Sequence, residues 1–288
     1  MGKTLSLDKN KKINLDDYQE ITLRELQNIF VIRFKEIHDF LIEHNIRYFA
    51  IGGTALGAIR HKGFIPWDDD MDLGMIREDY NRFLEIAHLL NPRYYKVYNY
   101  KNTRKIEHGL TKICLVGTYC GSRNLKDGYD TTYHIDIFPF DVVPPNERKK
   151  RKQAKKIKRL ASLLYFKSRN KSSKLYKTFF LRILQFALIP FSCRFLIEAE
   201  NKEAQKYNYY CKENVCNMLG VYSYEKETIP IKMINNPVLV QFEGVDMFVP
   251  NFTNEYLAHL YGLNYMVPIN RSPNKNNTSF LSKDYFIA

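Results

Sequence analysis

The stretch that most constrains this chain is residues 52–74, GGTALGAIRHKGFIPWDDDMDLG. It brings together a glycine pair, the cations Arg60 and Lys62 with His61 between them, and the carboxylates Asp68, Asp69, Asp70 and Asp72. The short apolar run before it, RYFAI over 47–51, reads as a buried strand, so Gly52-Gly53-Thr54 marks a tight strand-to-helix corner, with a brief helix over 54–60. Glycines let backbone N–H groups approach an anion, and the helix N-terminus that follows favours negative charge. Downstream, DMDLGM alternates with period two, which puts Asp70 and Asp72 on one face of a strand and Met71 and Leu73 on the other. Two carboxylates so placed can bridge hard divalent cations that neutralise phosphate oxygens and clamp an in-line displacement. The competing reading is a solvated acidic turn beside a tight corner. Asp68 and Asp69 are expected to support the pair.

A phosphate site of this kind wants a third carboxylate from a neighbouring strand, and HIDIFPFD over 134–141 supplies Asp136 among apolar residues. An isolated buried carboxylate is costly. Asp136 is therefore expected to complete a metal shell, to act as general base on an acceptor hydroxyl, or to form a structural ion pair with a nearby Lys or Arg.

Apolar periodicity outlines the rest. Thr22 and Glu25 make a capping-box signature at the head of a long amphipathic helix over 22–44, and a second helix is expected over 77–90. Strands are expected over 94–100, 112–118 and 133–138, a helix over 198–215, a hairpin over 238–249 and a helix over 254–261 ended by Gly262. Residues 1–20 read as a loosely held polar leader with no apolar signal segment, and 270–279 as a mobile polar tail.

The chain of 288 residues is 45% hydrophobic, enough for a full core, and its net charge of +13 is local. Residues 147–177 carry fourteen cations against the single acid Glu147, so the remainder of the chain sums to zero. This basic helical stretch reads as a solvated face, as a surface for anionic lipid together with the apolar segment 179–197, or, least favoured, as a nucleic-acid contact, since no nucleic-acid-reading motif accompanies it. Arg182, Pro190 and Arg194 interrupt the apolar segment, which is too short to span a bilayer. Five cysteines without a CxxC pair argue against disulfides and a zinc ribbon and for a reduced, cytoplasmic setting. His108, Cys114, Cys120 and His134 fit no standard ligand spacing.

Residues 52–75 together resemble the signature of the LicD family, phosphocholine transferases built on a nucleotidyltransferase fold and related to fukutin-type proteins. HIDIFPFD resembles that family's next motif, and FEGVDMFVPN with EYLAHLYG its C-terminal segment. After Gly262, Leu263-Asn264-Tyr265-Met266 and an Asn-rich tail replace the family's acidic, proline-rich ending. The resemblance implies an α+β fold, a nucleotidyltransferase-like mixed sheet with flanking helices, plus the helical basic middle region. The expected division is a leader (1–20), a catalytic core (21–146), the basic and amphipathic helical region (147–215), a C-terminal hairpin and helix on the core (216–268) and a tail (269–288). It further implies transfer of a phospho-alcohol, typically phosphocholine, from a CDP-activated donor to a sugar hydroxyl of a glycan or lipid-linked precursor, with release of CMP. Carried over by motif, Asp70, Asp72 and Asp136 become catalytic metal ligands for Mg2+ or Mn2+, as a pair of ions. Gly52, Gly53, Thr54, Arg60, His61 and Lys62 become phosphate or substrate contacts. Trp67, the only tryptophan, and Tyr133 could offer aromatic faces to a quaternary ammonium, though core packing explains either equally well. The expected setting is cytoplasmic, peripheral at the inner face of a membrane. Transfer of a nucleotide itself, and a non-enzymatic membrane-surface or RNA-binding role, are the alternatives.

Overall fold

Thr22 caps the first long helix as its sequence predicts. In the computed structural model, its Oγ1 accepts the Glu25 N–H at 3.2 Å, and the Glu25 carboxylate returns to the Thr22 N–H at 2.7 Å. Helix α1 (Leu23–Glu43) then buries Leu26, Ile29, Phe30, Phe34, Ile37 and Leu41 along one stripe. The structure describes residues 15–102, 110–120, 132–168, 186, 189–210, 213–268 and 278–285. They divide into two compact units: one takes the described residues of 6–98, 112–139 and 231–288, the other those of 99–111 and 140–230.

The first unit is built on a sheet whose strand order is β2 (Phe49–Ala50), β3 (Met71–Ile76), β7 (His134–Val142), β5 (Thr111–Leu115) and β4 (Tyr95–Tyr98). Strands β2 and β3 pair antiparallel with Ala50 opposite Leu73, and β4 and β5 pair with Tyr95 opposite Leu115. Helices α2 (Gly52–Arg60) and α3 (Arg77–Ile86) accompany this sheet, so the fold is α+β with a mixed sheet and flanking helices, as the resemblance implies. The helix α2 begins at the glycine pair itself, not after it, because Ile51 serves as its N-cap. The hairpin β10 (Val238–Phe242) and β11 (Val245–Val249) turns at Glu243 and Gly244, both with positive φ (51° and 80°), and α6 (Thr253–Tyr261) ends at Gly262, as expected.

Two expectations fail at the chain ends. Tyr18–Ile21 of the expected leader forms β1, and Ser279–Ser282 forms β12, which pairs antiparallel with both β1 and β6 (Thr118–Cys120). The expected strand over 112–118 is thus two strands in different sheets, parted at Gly117 with φ 84°. Most of the expected tail, 270–277, lies outside the described residues.

In the second unit, α4 (Glu147–Ser168) packs on α5 (Cys193–Ala204) through Leu164, Leu196 and Ile197. Buried Gln153 donates to the Glu203 and Ala204 carbonyls at 2.9 and 3.3 Å and accepts the Tyr224 hydroxyl at 2.6 Å. The helix expected over 198–215 starts earlier, at a Ser192 cap, and gives way to β8 (Asn214–Cys216), which pairs with Asp141 and Val142 and with β9 (Thr228–Pro230). Its start hid inside the apolar segment, where a run of large side chains carries no clear period. Residues 169–177 of the basic stretch lie outside the described residues. No helix among the described residues is long and apolar enough to cross a membrane.

Candidate active site

The acids are placed by α2 and β3 acting as one clamp. Ile51 donates to the Asp72 carbonyl at 3.1 Å, and the Asp72 N–H donates to Thr54 Oγ1 at 2.8 Å, so both ends of the 52–72 excursion are tied together. Thr54, expected to contact phosphate, is buried in this tie. A methyl group at Gly53 would stand 3.0 Å from Asp68 Oδ2, and one at Gly52 would stand 3.6 Å from Asp72 Oδ2 and 3.8 Å from the Tyr261 hydroxyl. The glycine pair therefore runs along the carboxylate cluster, and Gly52 holds φ 53°, which only glycine adopts freely. Its N–H donates to the Tyr256 hydroxyl at 3.2 Å.

The connecting loop is held from two sides. Buried Gln27 on α1 donates to the Asp68 carbonyl at 2.9 Å. Glu243 at the hairpin turn accepts Arg24 through both guanidinium nitrogens at 2.9 and 2.7 Å and the Phe64 N–H at 3.3 Å, and its own N–H donates to the Lys62 carbonyl at 2.8 Å. Arg60, expected to meet substrate, donates to the Tyr265 carbonyl at 2.8 Å and so anchors the segment after α6. His61 is half-buried, its imidazole held below the ordinary histidine range by burial and then by Arg60, while Lys62 is exposed.

Strand parity places Asp72 as predicted, with Met71 and Leu73 fully buried on the other face. Asp136 enters from β7 with its side chain 16% exposed, beside Lys112 Nζ at 3.1 Å and His134 Nε2 at 3.6 Å. The ion-pair alternative for Asp136 is therefore realised, with Lys112 from β5. His134 Nδ1 donates to the Thr132 carbonyl at 2.9 Å, and Nε2 meets Lys112 Nζ at 2.5 Å.

Burial and mutual repulsion act on the cluster together. Burial, then the charges of Asp70 and Asp69, pushes the Asp68 carboxyl up to about 7. Crowding by protein, then Asp69 and Asp136, raises Asp70, whose side chain still reaches solvent. Burial, then Asp70, Asp136 and Asp68, raises Asp72 well above the usual carboxylate range. Burial also pushes Asp136 up, but His134 and then Lys112 outweigh it and hold Asp136 below that range. Like charges in one place disfavour ionisation, and a bound cation reverses this.

As the side chains stand, no three carboxylate, imidazole or thiolate groups among the described residues converge closely enough to enclose an ion. The donor set nonetheless fits a hard divalent cation in its chemistry: all oxygen, mutually repelling, and including a buried Asp136 Oδ1 that makes an ion pair but no hydrogen bond. Tyr133 is buried against Phe30 at 6.2 Å, and its hydroxyl shares a 2.6 Å hydrogen bond with Ser279, which are core contacts and not those of a ligand cage. Trp67 is half-buried next to the acids in the chain. A separate cavity of about 500 Å³, lined by Ile42, Arg47, Tyr48, Pro237 and Phe248 among others, contains none of the acids. Lys112, Glu243, Tyr256 and Tyr261 are the neighbours that sequence reading missed. Lys112 carried one signal, a lone cation on a strand whose following residues are buried.

A carboxylate cluster thus lies against a glycine corner on an α+β sheet of nucleotidyltransferase-like type. Residues 45–162 match the family described as LicD/FKTN/FKRP, nucleotidyltransferase domain, and support a domain of the LicD/fukutin type in this part of the chain. It is 28% identical over 250 residues to the lipopolysaccharide cholinephosphotransferase LicD of Haemophilus influenzae, covering 85% of this chain and 91% of that protein. An uncharacterized Rickettsia typhi protein is 34% identical over 151 residues, which are 50% of this chain and 42% of that protein. The human ribitol 5-phosphate transferase FKRP is 56% identical over 34 residues, 12% of this chain and 7% of that protein. The chain is thus an enzyme of the phosphotransferase class.

Proposed function

We propose that this enzyme transfers a phospho-alcohol, phosphocholine first, from a CDP-activated donor to a sugar hydroxyl of a cell-surface glycan or lipid-linked precursor, releasing CMP. The observation that carries the reading is the Asp68, Asp70, Asp72 and Asp136 cluster set against the Gly52-Gly53 corner. Among the relatives, one is named for cholinephosphate transfer and aligns with most of the chain, while another is named for ribitol 5-phosphate. What the two names share is a phosphorylated alcohol moved as a unit.

Asp70 and Asp72 would hold a divalent cation, Mg2+ or Mn2+, with Asp136 as third ligand. Such an ion, or a pair, supplies charge neutralisation at the diphosphate and at the departing CMP oxygen. The protein's own part is orientation. The Thr54 tie fixes Asp72, the glycine pair lets the acids pack close against the backbone, and Lys112 with His134 keeps Asp136 ionised. The acceptor oxygen bonds to the distal phosphorus as the bridging P–O bond to CMP breaks, and the hydroxyl proton leaves to a carboxylate or to solvent. The setting proposed is the cytoplasmic side of a membrane.

Incubation with Mg2+, a panel of CDP-alcohols and candidate glycans should give CMP and a product heavier by one phospho-alcohol, with chelation abolishing both. Nucleotide-tagged products would instead support nucleotidyl transfer. If Trp67 offers its ring to choline, Trp67→Ala raises KM for the choline donor about 2- to 30-fold, the equivalent of roughly 0.5–2 kcal/mol. An unchanged KM removes Trp67 from the site.

A further inference from the structure

The second unit carries a surface that the acid site does not use. Arg148, Arg151, Lys152, Lys155, Lys158 and Arg159 recur along α4 at intervals of three and four residues, which lines them up as one stripe. Buried Gln153, Ile157 and Leu164 occupy the opposite side of the same helix. All six cations are exposed, and none makes an ion pair among the described residues. Their neighbours behave differently: Lys149 meets the Tyr210 hydroxyl, Lys150 pairs with Glu147, and Lys156 pairs with Glu203. Like charges at this spacing destabilise a helix unless something neutralises them.

A second observation names the neutralising partner. Ile189 is 65% exposed, and Phe191 and Phe195 stand together at 5.6 Å between ring centres with Phe195 51% exposed, the first two just before α5 and the third in its first turn. This apolar group sits beside the C-terminal half of α4, because Cys193, Leu196 and Ile197 pack on Leu160, Leu163 and Leu164. A nucleic-acid duplex would match the cations and leave the phenylalanines and isoleucine in water, and a single strand, though its bases could stack on the rings, would still leave Ile189 there. A bilayer with anionic headgroups satisfies both, since clustered cations are drawn to its surface while large apolar side chains enter the interface.

We propose that α4 and the start of α5 form a docking surface for an anionic lipid bilayer, with the cation stripe against the headgroups and Ile189, Phe191 and Phe195 inserted.

The test is sedimentation of the full chain with vesicles of phosphatidylcholine alone or mixed with phosphatidylglycerol. Binding should require the anionic lipid and weaken as salt rises. Replacing Arg151, Lys152, Lys155 and Lys158 by Gln should lower partitioning several-hundred-fold, at about fivefold per cation. Far-UV circular dichroism should match the parent, since all four side chains are exposed. In a second variant, Phe195→Trp, the added emission should shift to the blue on anionic vesicles. Equal binding to phosphatidylcholine, undiminished binding of the four-Gln variant, or no spectral shift would overturn the proposal. So would displacement by RNA at the concentration at which the vesicles themselves bind, which would reassign the stripe to a polynucleotide.

Discussion

Asp72 is held on both sides: its N–H and C=O are both used to join β3 to α2, and its carboxyl carries the repulsion of three others. Asp72→Asn or Asp70→Asn should therefore lower kcat at least about 100-fold, the loss of roughly 2.7 kcal/mol of transition-state stabilisation, while thermal stability holds or rises. Calorimetry beside the turnover assay checks both. The facing of Asp72 away from Met71 and Leu73 was legible because strand parity is a local property, whereas Asp70 lies one residue before β3 begins. Lys112 was not, since alternation reports which face a side chain takes and not which strand lies next to it. Away from the site, burial on α5 pushes the Glu200 carboxyl up to about 7. A folded-state pKa raised above the unfolded value gives stability that is complete below about pH 4.5 and is lost as pH rises toward 7. Glu200→Gln should be close to the parent at pH 4.5 and more stable above pH 7, by up to about 3 kcal/mol. Parallel urea titrations at the two pH values measure the difference.

At the scale of elements, the hairpin turn does more than reverse the chain. Glu243 takes Arg24 from α1 and the Phe64 N–H from the loop that leads to the acids, so one carboxylate joins three elements. Glu243→Ala should cost about 1–2 kcal/mol of stability and lower kcat several-fold, read from urea midpoints and turnover; Glu243→Gln should recover part of each. Elements with local signatures were legible: the Thr22 and Glu25 box, the Glu243-Gly244 turn and the Gly262 stop all stand where predicted. β1 and β12 were not, because each is a short strand whose partners lie far away in the sequence, β12 standing between β1 and β6. The early start of α5 escaped for a different reason, since Ser192 is a good cap in an otherwise featureless apolar run.

At the scale of the whole molecule, charge and chemistry are divided. The net charge of +13 equals the surplus of residues 147–177, while the cluster that answers to phosphate chemistry is acidic and lies in the other unit. Composition could locate the basic surplus but could not say that six of its cations form one stripe, which depends on where α4 begins and which face it buries. The family relationship likewise rests on motifs in residues 45–162, whereas the clamp around them draws on α1, the 243–244 turn and α6. The central claim is that the acid cluster moves a phospho-alcohol away from a nucleotide. Phosphorus NMR of the chain with Mg2+, CDP-choline and a sugar acceptor tests it most directly. The account predicts that the diphosphate signal gives way to CMP and a choline phosphodiester on the sugar, and that Asp72→Asn stops both. A nucleotide left on the acceptor, or conversion that proceeds unchanged in Asp72→Asn, would contradict it.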